Sequence, residues 1–544
     1  MNTRLVRNAT AMAWVCSALC MAAPMTYELA GYASQDPCVD SVRFALMTLK
    51  NQKFYSKGDR LRVNVLTNRP GSTLTYKVWL QKQPAPLVVL IPGLGGHCAS
   101  LAPAVLAEAL FNHGLSILVV SSPFNWDFVQ NGSSTIVPGF TPQDARDLYD
   151  ALQVILANVD KDYGAGRVTR KLLVGYSLGA LDALFISDLD AHEQRLQFER
   201  IVAVSPPVNL LYGLKQLDDY YLAWTNLARA GIEKKKDDVV GFYEKQIRTP
   251  QTPEAGASNV VPVTSDEAQM AVGMVFHRSL GEVIKAIHER KDFGFLKTPY
   301  KSNRTRFLEK EIERFNYANY LMTFVKAAHS NVWKDGFTSK DLNKRASLPA
   351  IQASLASNDR VRVIHSRDDI LLTEYDRSWL GNVLGERVVF LDHGGHLGFL
   401  YRDDVLEFIA FQLGHGTNPL REASAPVLVA ALLPAAAATN GPPAGLATNE
   451  PALTAARVTV TRLPATGSGE TTATIEMEDS AGDALVQTGH VVAARLALGT
   501  NAPARVVIEP VSNKAATVEY YEAPGGTISN VGGRSDITIE YYGH

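Results

Sequence analysis

The chain has 544 residues, enough for roughly two to four domains. Lysine and arginine number 53 against 55 aspartate and glutamate, for a formal net charge of -2, with 46% hydrophobic and 20% charged residues. That balance excludes a strongly basic nucleic-acid binder and a charge-rich chain too poor in apolar residues to fold, and it predicts a soluble globular protein with no nucleic-acid partner.

Residues 1–23 place Arg4 and Arg7 ahead of an apolar run, Ala11 to Cys20, that closes on Ala22 and Ala23. This is the layout of a secretory signal peptide, and it predicts a periplasmic or secreted protein; a buried N-terminal helix is the alternative. Leu29-Ala30-Gly31 is followed by Tyr32 where a lipoprotein signal requires cysteine, so no lipid anchor is expected. Removal of the signal leaves Cys38 and Cys98. Two cysteines are compatible with one disulfide in an oxidising compartment and equally with two buried thiols. No other stretch approaches the length of a membrane span.

Residues 24–54 read as an N-terminal extension, and residues 55–205 as the first part of an α/β core. Asp59–Leu66 and Thr73–Leu80 alternate polar and apolar residues around Asn68-Arg69-Pro70-Gly71, which predicts an antiparallel pair at a sheet edge. Pro86–Ile91 is continuously apolar, as in a strand covered on both faces of a largely parallel sheet, and it runs into Pro92-Gly93-Leu94-Gly95-Gly96-His97. A loop this rich in glycine lets backbone N–H groups face a ligand; a P-loop is discounted because its closing lysine and hydroxyl residue are missing. A helix over Leu101–His113, a strand over Leu115–Val120 and a helix capped at Thr141 and running to about Val159 follow. Strand–helix alternation of this kind predicts a helix-covered parallel sheet.

The strand ending at Val174 then enters Gly175-Tyr176-Ser177-Leu178-Gly179. A bare Gly-x-Ser-x-Gly occurs by chance, but between a strand and a helix it becomes a nucleophile elbow: the tight turn demands glycines around the serine and exposes its hydroxyl. Ser177 is therefore the candidate nucleophile. Residues 206–355 abandon the alternation for amphipathic helices and read as a helical cap over the carboxyl edge of the sheet. Thr264 and Glu267 form a capping box ahead of a helix to about Arg290, and Leu308, Ile312, Phe315 and Met322 mark the inner face of another. Glu233–Asp238 is a charge run best read as a solvated helix face.

The second part of the core, residues 356–415, carries a strand over Val361–Ile364 that leads to Asp368-Asp369 and a strand over Arg387–Leu391 that leads to Asp392-His393-Gly394-Gly395-His396. A serine on an elbow needs a base and an orienting carboxylate, which follow it in the order acid, then histidine. The local pattern favours Asp369 as the acid, with Asp368 as rival, and His396 as the base. His365 precedes the acid on the same strand, and His393 precedes the two glycines that give the loop its reach.

Taken together, Pro92–Gly96, Gly175–Gly179, Asp368-Asp369 and Gly394-Gly395-His396-Leu397-Gly398-Phe399 resemble the alpha/beta-hydrolase superfamily over about residues 55–415. The closing Gly-Gly-His-x-Gly-Phe is similar to the branch of esterases that includes the plant embryogenesis-associated hydrolases. The resemblance implies an α/β fold with a mostly parallel central sheet, a helical cap insertion and backbone N–H groups of Leu94 and Leu178 as the oxyanion hole. Many members carry His-Gly before the oxyanion residue; here Pro92-Gly93 stands in its place. The implied activity is that of a serine hydrolase cleaving the ester of a small molecule or lipid through an acyl-enzyme. An acyltransferase with the same triad and a non-catalytic envelope-binding scaffold are the alternatives. No cofactor or metal is expected, because the acidic and histidine residues form no zinc-like cluster.

Residues 416–456 are dominated by alanine, proline and threonine and read as a linker. Residues 457–544 hold short β-like runs, among them two copies of Thr-[Val/Ile]-Glu-Tyr-Tyr, and read as a small β-rich domain or tail open to envelope or surface contact.

Overall fold

The computed structural model describes residues 24–225, 260–333 and 336–422 and, beyond them, the backbone of nine strands between 456 and 543. The signal segment 1–23, the charge run Glu233–Asp238 and most of the alanine-rich linker lie outside the described residues. The chain divides into two compact units, Met1–Pro426 and Val427–His544.

The first unit is built on one sheet. Its strands are Met25–Glu28 (β1), Asp59–Val63 (β2), Leu74–Trp79 (β3), Ala85–Ile91 (β4), Ser116–Val120 (β5), Val168–Tyr176 (β6), Arg200–Val204 (β7), Val361–Ser366 (β8), Val388–Leu391 (β9) and Arg421–Glu422 (β10). They lie in the order β10-β1-β9-β8-β7-β6-β4-β5-β3-β2. All neighbours from β1 to β5 pair parallel; β3 pairs antiparallel with β5 and β2, and β10 antiparallel with β1.

Apolar residues on both faces explain the central strands. Along β4, Leu87, Val89 and Ile91 enter one core with the helices Thr141–Tyr163 and Leu178–Glu193, while Val88 and Leu90 enter the opposite core with Leu101–Asn112 and Asp403–Gln412. A strand covered on both sides has no polar face to show. The register aligns Ile91 with Gly175, Tyr176 with Val204 and Ser366 with Leu391, so β4, β6, β8 and β9 release their loops at one edge of the sheet. Chain order reverses about β4, which makes that edge the natural crevice of an open α/β sheet.

Several boundaries differ from the sequence reading. Part of the N-terminal extension is core: Met25, Thr26 and Tyr27 pair with Val389, Phe390 and Leu391. The linker starts later than expected because Tyr27 and Glu28 pair with Glu422 and Arg421; four- and two-residue strands are too short to show a period. Phe140 rather than Thr141 is the N-cap of the long helix, and the Thr141 hydroxyl donates instead to the Ala346 carbonyl at 2.9 Å. The capping box of Thr264 and Glu267 heads the helix Ser265–Arg290. The next amphipathic helix is broken into Thr305–Ile312 and a restart capped by Asn316 that passes into a π-helical turn, Leu321–Val325. The extra residue per turn shifts the phase, burying Leu321, Phe324 and Val325 and leaving Met322 44% exposed.

The second unit contains an antiparallel four-stranded sheet in the order Gly469–Ile475, Ala456–Arg462, Ala504–Pro510, Ala516–Tyr521, a hairpin of Val486–Gln487 with His490–Val491, and a three-stranded sheet of Ala494–Leu498, Arg534–Gly543 and Thr527–Val531. The two Thr-[Val/Ile]-Glu-Tyr-Tyr copies are strand segments in different sheets.

Candidate active site

At the end of β6 the chain turns so sharply that Ser177 takes φ +54° and ψ -126°, a conformation costing about 1–3 kcal/mol for a residue with a side chain. The turn is held by the Ser177 N–H donating to the Val204 carbonyl at 2.9 Å. Glycine is required on both sides. A Cβ on Gly175 would run into the backbone of Gly179 and Ala180, and one on Gly179 into the carbonyls of Ile91 and Pro92.

The loop after β4 packs directly on this turn: a Cβ on Gly93 would stand 2.9 Å from the Ser177 Cβ. The rest of the loop is fixed by Gly95 N–H donating to the Phe124 carbonyl (3.1 Å), Gly96 N–H to the Gly93 carbonyl (2.9 Å), and the Asn125 side-chain amide to the Gly95 carbonyl (2.8 Å). Among the described residues, the N–H groups of Leu94 and Leu178 donate to no protein acceptor, and both residues border the space beside Ser177. Unpaired donors beside a hydroxyl suit a developing oxyanion.

Three elements converge on Ser177. The His396 Nε2 lies 2.8 Å from the Ser177 Oγ, and its Nδ1 lies 2.9 Å and 3.1 Å from the two carboxylate oxygens of Asp369. Asp369 also accepts from the Leu371 N–H at 2.8 Å and is buried, as are Ser177 and His396. Burial opposes its ionisation, but electrostatic attraction to and hydrogen bonding with the His396 and His365 imidazoles outweigh burial and hold the carboxyl well below the usual carboxylate range. With Asp369 accepting from Nδ1–H, the free Nε2 can take the serine proton.

The rival residues have other places. Asp368 accepts from the N–H groups of Gly394 (3.3 Å) and Gly395 (2.9 Å), so it shapes the loop carrying His396. His365 is buried with its Nδ1 3.2 Å from the Asp369 Oδ2 and its Nε2 3.1 Å from the Pro206 carbonyl. His393 is exposed, its N–H donating to the Asp392 carboxylate.

The residue that sequence reasoning missed is Ser41. It lies on a one-and-a-half-turn helix, Pro37–Val42, started by Asp36, whose carboxylate accepts from the Cys38 N–H. The Ser41 Oγ accepts from the His396 N–H at 2.8 Å and donates to the Pro37 carbonyl at 2.6 Å. Gly395 and Gly398 press against this helix, where added Cβ atoms would strike the Pro37 and Asp40 carbonyls. Asp-Pro is a helix-start signature and could have located the element; nothing local could have told where it docks. Cys38 and Cys98 are both buried free thiols, so the disulfide alternative is not realised.

The site opens into a cavity of about 310 Å³ bordered by the N-terminal helix, the loop after β4 and the helix Ser265–Arg290. Among the described residues there is no group of three or more acidic, histidine or cysteine side chains able to hold a metal ion, and no helix is long and apolar enough to cross a membrane.

No curated protein matches this chain. Solved structures similar to it include a Pyrobaculum calidifontis esterase (14% identity, 69% of this chain and 88% of that one, TM-score 0.34) and carboxyl esterase 2 of the mycorrhizal fungus Tuber melanosporum (12% identity, 66% and 86%, TM-score 0.34). A thioesterase domain from the curacin biosynthetic pathway is similar at 13% identity over 65% of this chain and 99% of that one, with TM-score 0.29. The sequence model of the alpha/beta hydrolase family matches residues 88–409, a span that starts in β4 and ends beyond the His396 loop. That match takes in more than half of the chain, and the chain belongs to the alpha/beta hydrolase family.

Proposed function

We propose that this protein is a serine hydrolase that cleaves carboxylic esters through an acyl-enzyme. The observation that carries the reading is the hydrogen-bonded line from Asp369 through His396 to the Ser177 Oγ, with separations of 2.9 and 2.8 Å. In the first half-reaction His396 Nε2 takes the Ser177 proton as Oγ bonds to the ester carbonyl carbon. The oxygen that gains the negative charge is stabilised by the Leu94 and Leu178 N–H groups. His396 then passes the proton to the leaving alkoxide as the C–O bond breaks. Water, deprotonated by the same nitrogen, attacks the acyl-enzyme and restores Ser177. Asp369 keeps the imidazole oriented and stabilises its charged form.

The layout of residues 1–23 supports export to the periplasm or beyond as the place of action. The catalytic reading is tested by labelling the protein with a fluorophosphonate probe and by assaying p-nitrophenyl esters. Wild type is expected to be labelled and to turn over, and Ser177→Ala to lose labelling and about 10⁴-fold or more of its kcat. Labelling that persists in Ser177→Ala, or is absent from both, overturns the proposal.

A further inference from the structure

Two cavities meet at Ser177, and they differ tenfold in size. The larger, about 310 Å³, is bordered by His396, by Ser41, Val42 and Phe44 of the N-terminal segment, and by Ala271 and Val275 of the helix Ser265–Arg290. The smaller, about 30 Å³, is bordered by Leu178, Pro207, Leu210, Gly213 and Leu214, and His396 does not reach it. Leu94, Leu217, Phe276 and Leu371 border both and form the ridge between them.

The chemistry assigns a substrate half to each side. In the tetrahedral adduct the carbonyl carbon carries the Ser177 Oγ, the oxyanion, the leaving oxygen and the acyl carbon. One nitrogen, His396 Nε2, has to exchange its proton with both Oγ and the leaving oxygen, so the leaving oxygen lies on the histidine side. The oxyanion is directed at the Leu94 and Leu178 N–H groups. The acyl carbon is left with the direction away from His396, which leads into the small cavity. Resting on the esterase reading above, we infer that this enzyme acts on acetyl or propionyl esters of bulky, apolar, uncharged alcohols.

The sizes set the classes. A water-sized group needs about 10–15 Å³, so the small cavity holds about two or three heavy atoms and the large one on the order of twenty. Leucines and proline line the small side, and none of them is a flexible methionine or a surface side chain that could swing clear. Among the described residues that border it, the large side carries no aspartate, glutamate, lysine or arginine, which leaves a charged alcohol without a partner there. Among the described residues, its polar side chains besides Ser177 and His396 carry hydroxyls, those of Ser41, Ser100, Tyr176 and Ser279.

The test varies one half of the ester at a time with the full-length protein. Across p-nitrophenyl acetate, butyrate and octanoate the leaving group is constant, and kcat/KM is expected to fall at least tenfold from acetate to octanoate. Across ethyl, butyl and octyl acetate the acyl group is constant, and kcat/KM is expected to rise at least tenfold. Leu214→Ala enlarges only the small side and is expected to move the acyl optimum to butyrate or longer, while the rise from ethyl to octyl acetate is kept. Leu210→Ala serves the same purpose if Leu214→Ala fails to turn over ethyl acetate. Ala271→Phe is expected to lower the ratio of octyl acetate to ethyl acetate kcat/KM at least tenfold. Ser177-dependent turnover that is faster on octanoate than on acetate, or flat across the alkyl acetates, overturns the assignment and leaves the esterase reading standing. Absence of Ser177-dependent labelling and of turnover on every ester overturns both.

Discussion

Asp369 stands between two imidazoles, and that position separates its role from that of its neighbour. With His396 on one side and His365 on the other, its carboxyl is held ionised far into the acid range. Asp369→Asn keeps the size but offers an amide N–H where the imidazole also donates, so the wrong tautomer is favoured. A loss of about 10⁴-fold in kcat is expected, with KM changed little. Asp368→Ala removes only the acceptor for the Gly394 and Gly395 N–H groups. At about 1 kcal/mol for each hydrogen bond, a loss of about 10- to 30-fold is expected through misplacement of His396. Steady-state kinetics of the two variants side by side checks the assignment, and equal losses, or a larger loss in Asp368→Ala, would reverse it. The linkage sign is that of a depressed carboxyl. The stability from Asp369 is fully present above its unfolded value of about 3.9 and is lost as pH falls toward the folded value.

Between elements, the short helix Pro37–Val42 acts as a seat for the loop that carries the base. Ser41→Ala deletes the acceptor for the His396 N–H, a buried hydrogen bond of about 1 kcal/mol. The expected result is a fall of about 5- to 10-fold in kcat at nearly constant KM; an unchanged kcat would show that the loop is held without the seat. A second inter-helix feature carries a pH dependence. Asp144 on Thr141–Tyr163 is pushed well above the usual carboxylate range by burial and by the Asp182 carboxyl, and Asp182 on Leu178–Glu193 is pushed the same way by burial. Among the described residues, the Asp182 Oδ2 has no hydrogen-bond partner. A raised pKa in the folded state means that the folded protein binds more protons than the unfolded chain. Its stability is therefore full below about pH 4 and declines as pH rises toward the folded value, by about 1.4 kcal/mol per unit for each such group. Asp182→Asn removes this dependence at one group. Its Tm is expected to gain on wild type between pH 5 and pH 8, and thermal melts showing a constant or shrinking difference would refute the account.

At the scale of the whole molecule, what the sequence displays depends on run length. Ser177, Asp369 and His396 each follow a strand with a readable apolar run, so their place at one sheet edge could be anticipated. Pro86–Ile91 revealed a two-sided strand because every position is apolar. By contrast β1 and β10, of four and two residues, have no period to read, and they join the sheet through pairings of Tyr27 with Leu391 and with Glu422, across nearly the whole first unit. The role of Ser41 was hidden for the same reason: 355 residues separate it from His396, and only the folded sheet edge brings them together. Met322 leaves the expected inner face because a π-helical turn changes the phase of the helix. The site is thus closed by pieces from both ends of the first unit. A chain ending at Pro426 keeps β10 and its pairing with β1, which in turn supports β9 and the Asp392 corner through the Asp392 N–H donating to the Tyr27 carbonyl at 3.0 Å. Such a chain is expected to retain kcat/KM on a soluble p-nitrophenyl ester within about 3-fold of the full-length protein and to melt cooperatively. Ending instead at Gly416 removes β10, leaves one edge of β1 unpaired, and is expected to lower Tm, with activity lost at a lower temperature. A collapse of activity in the chain ending at Pro426 would mean that residues 427–544 take part in forming the site.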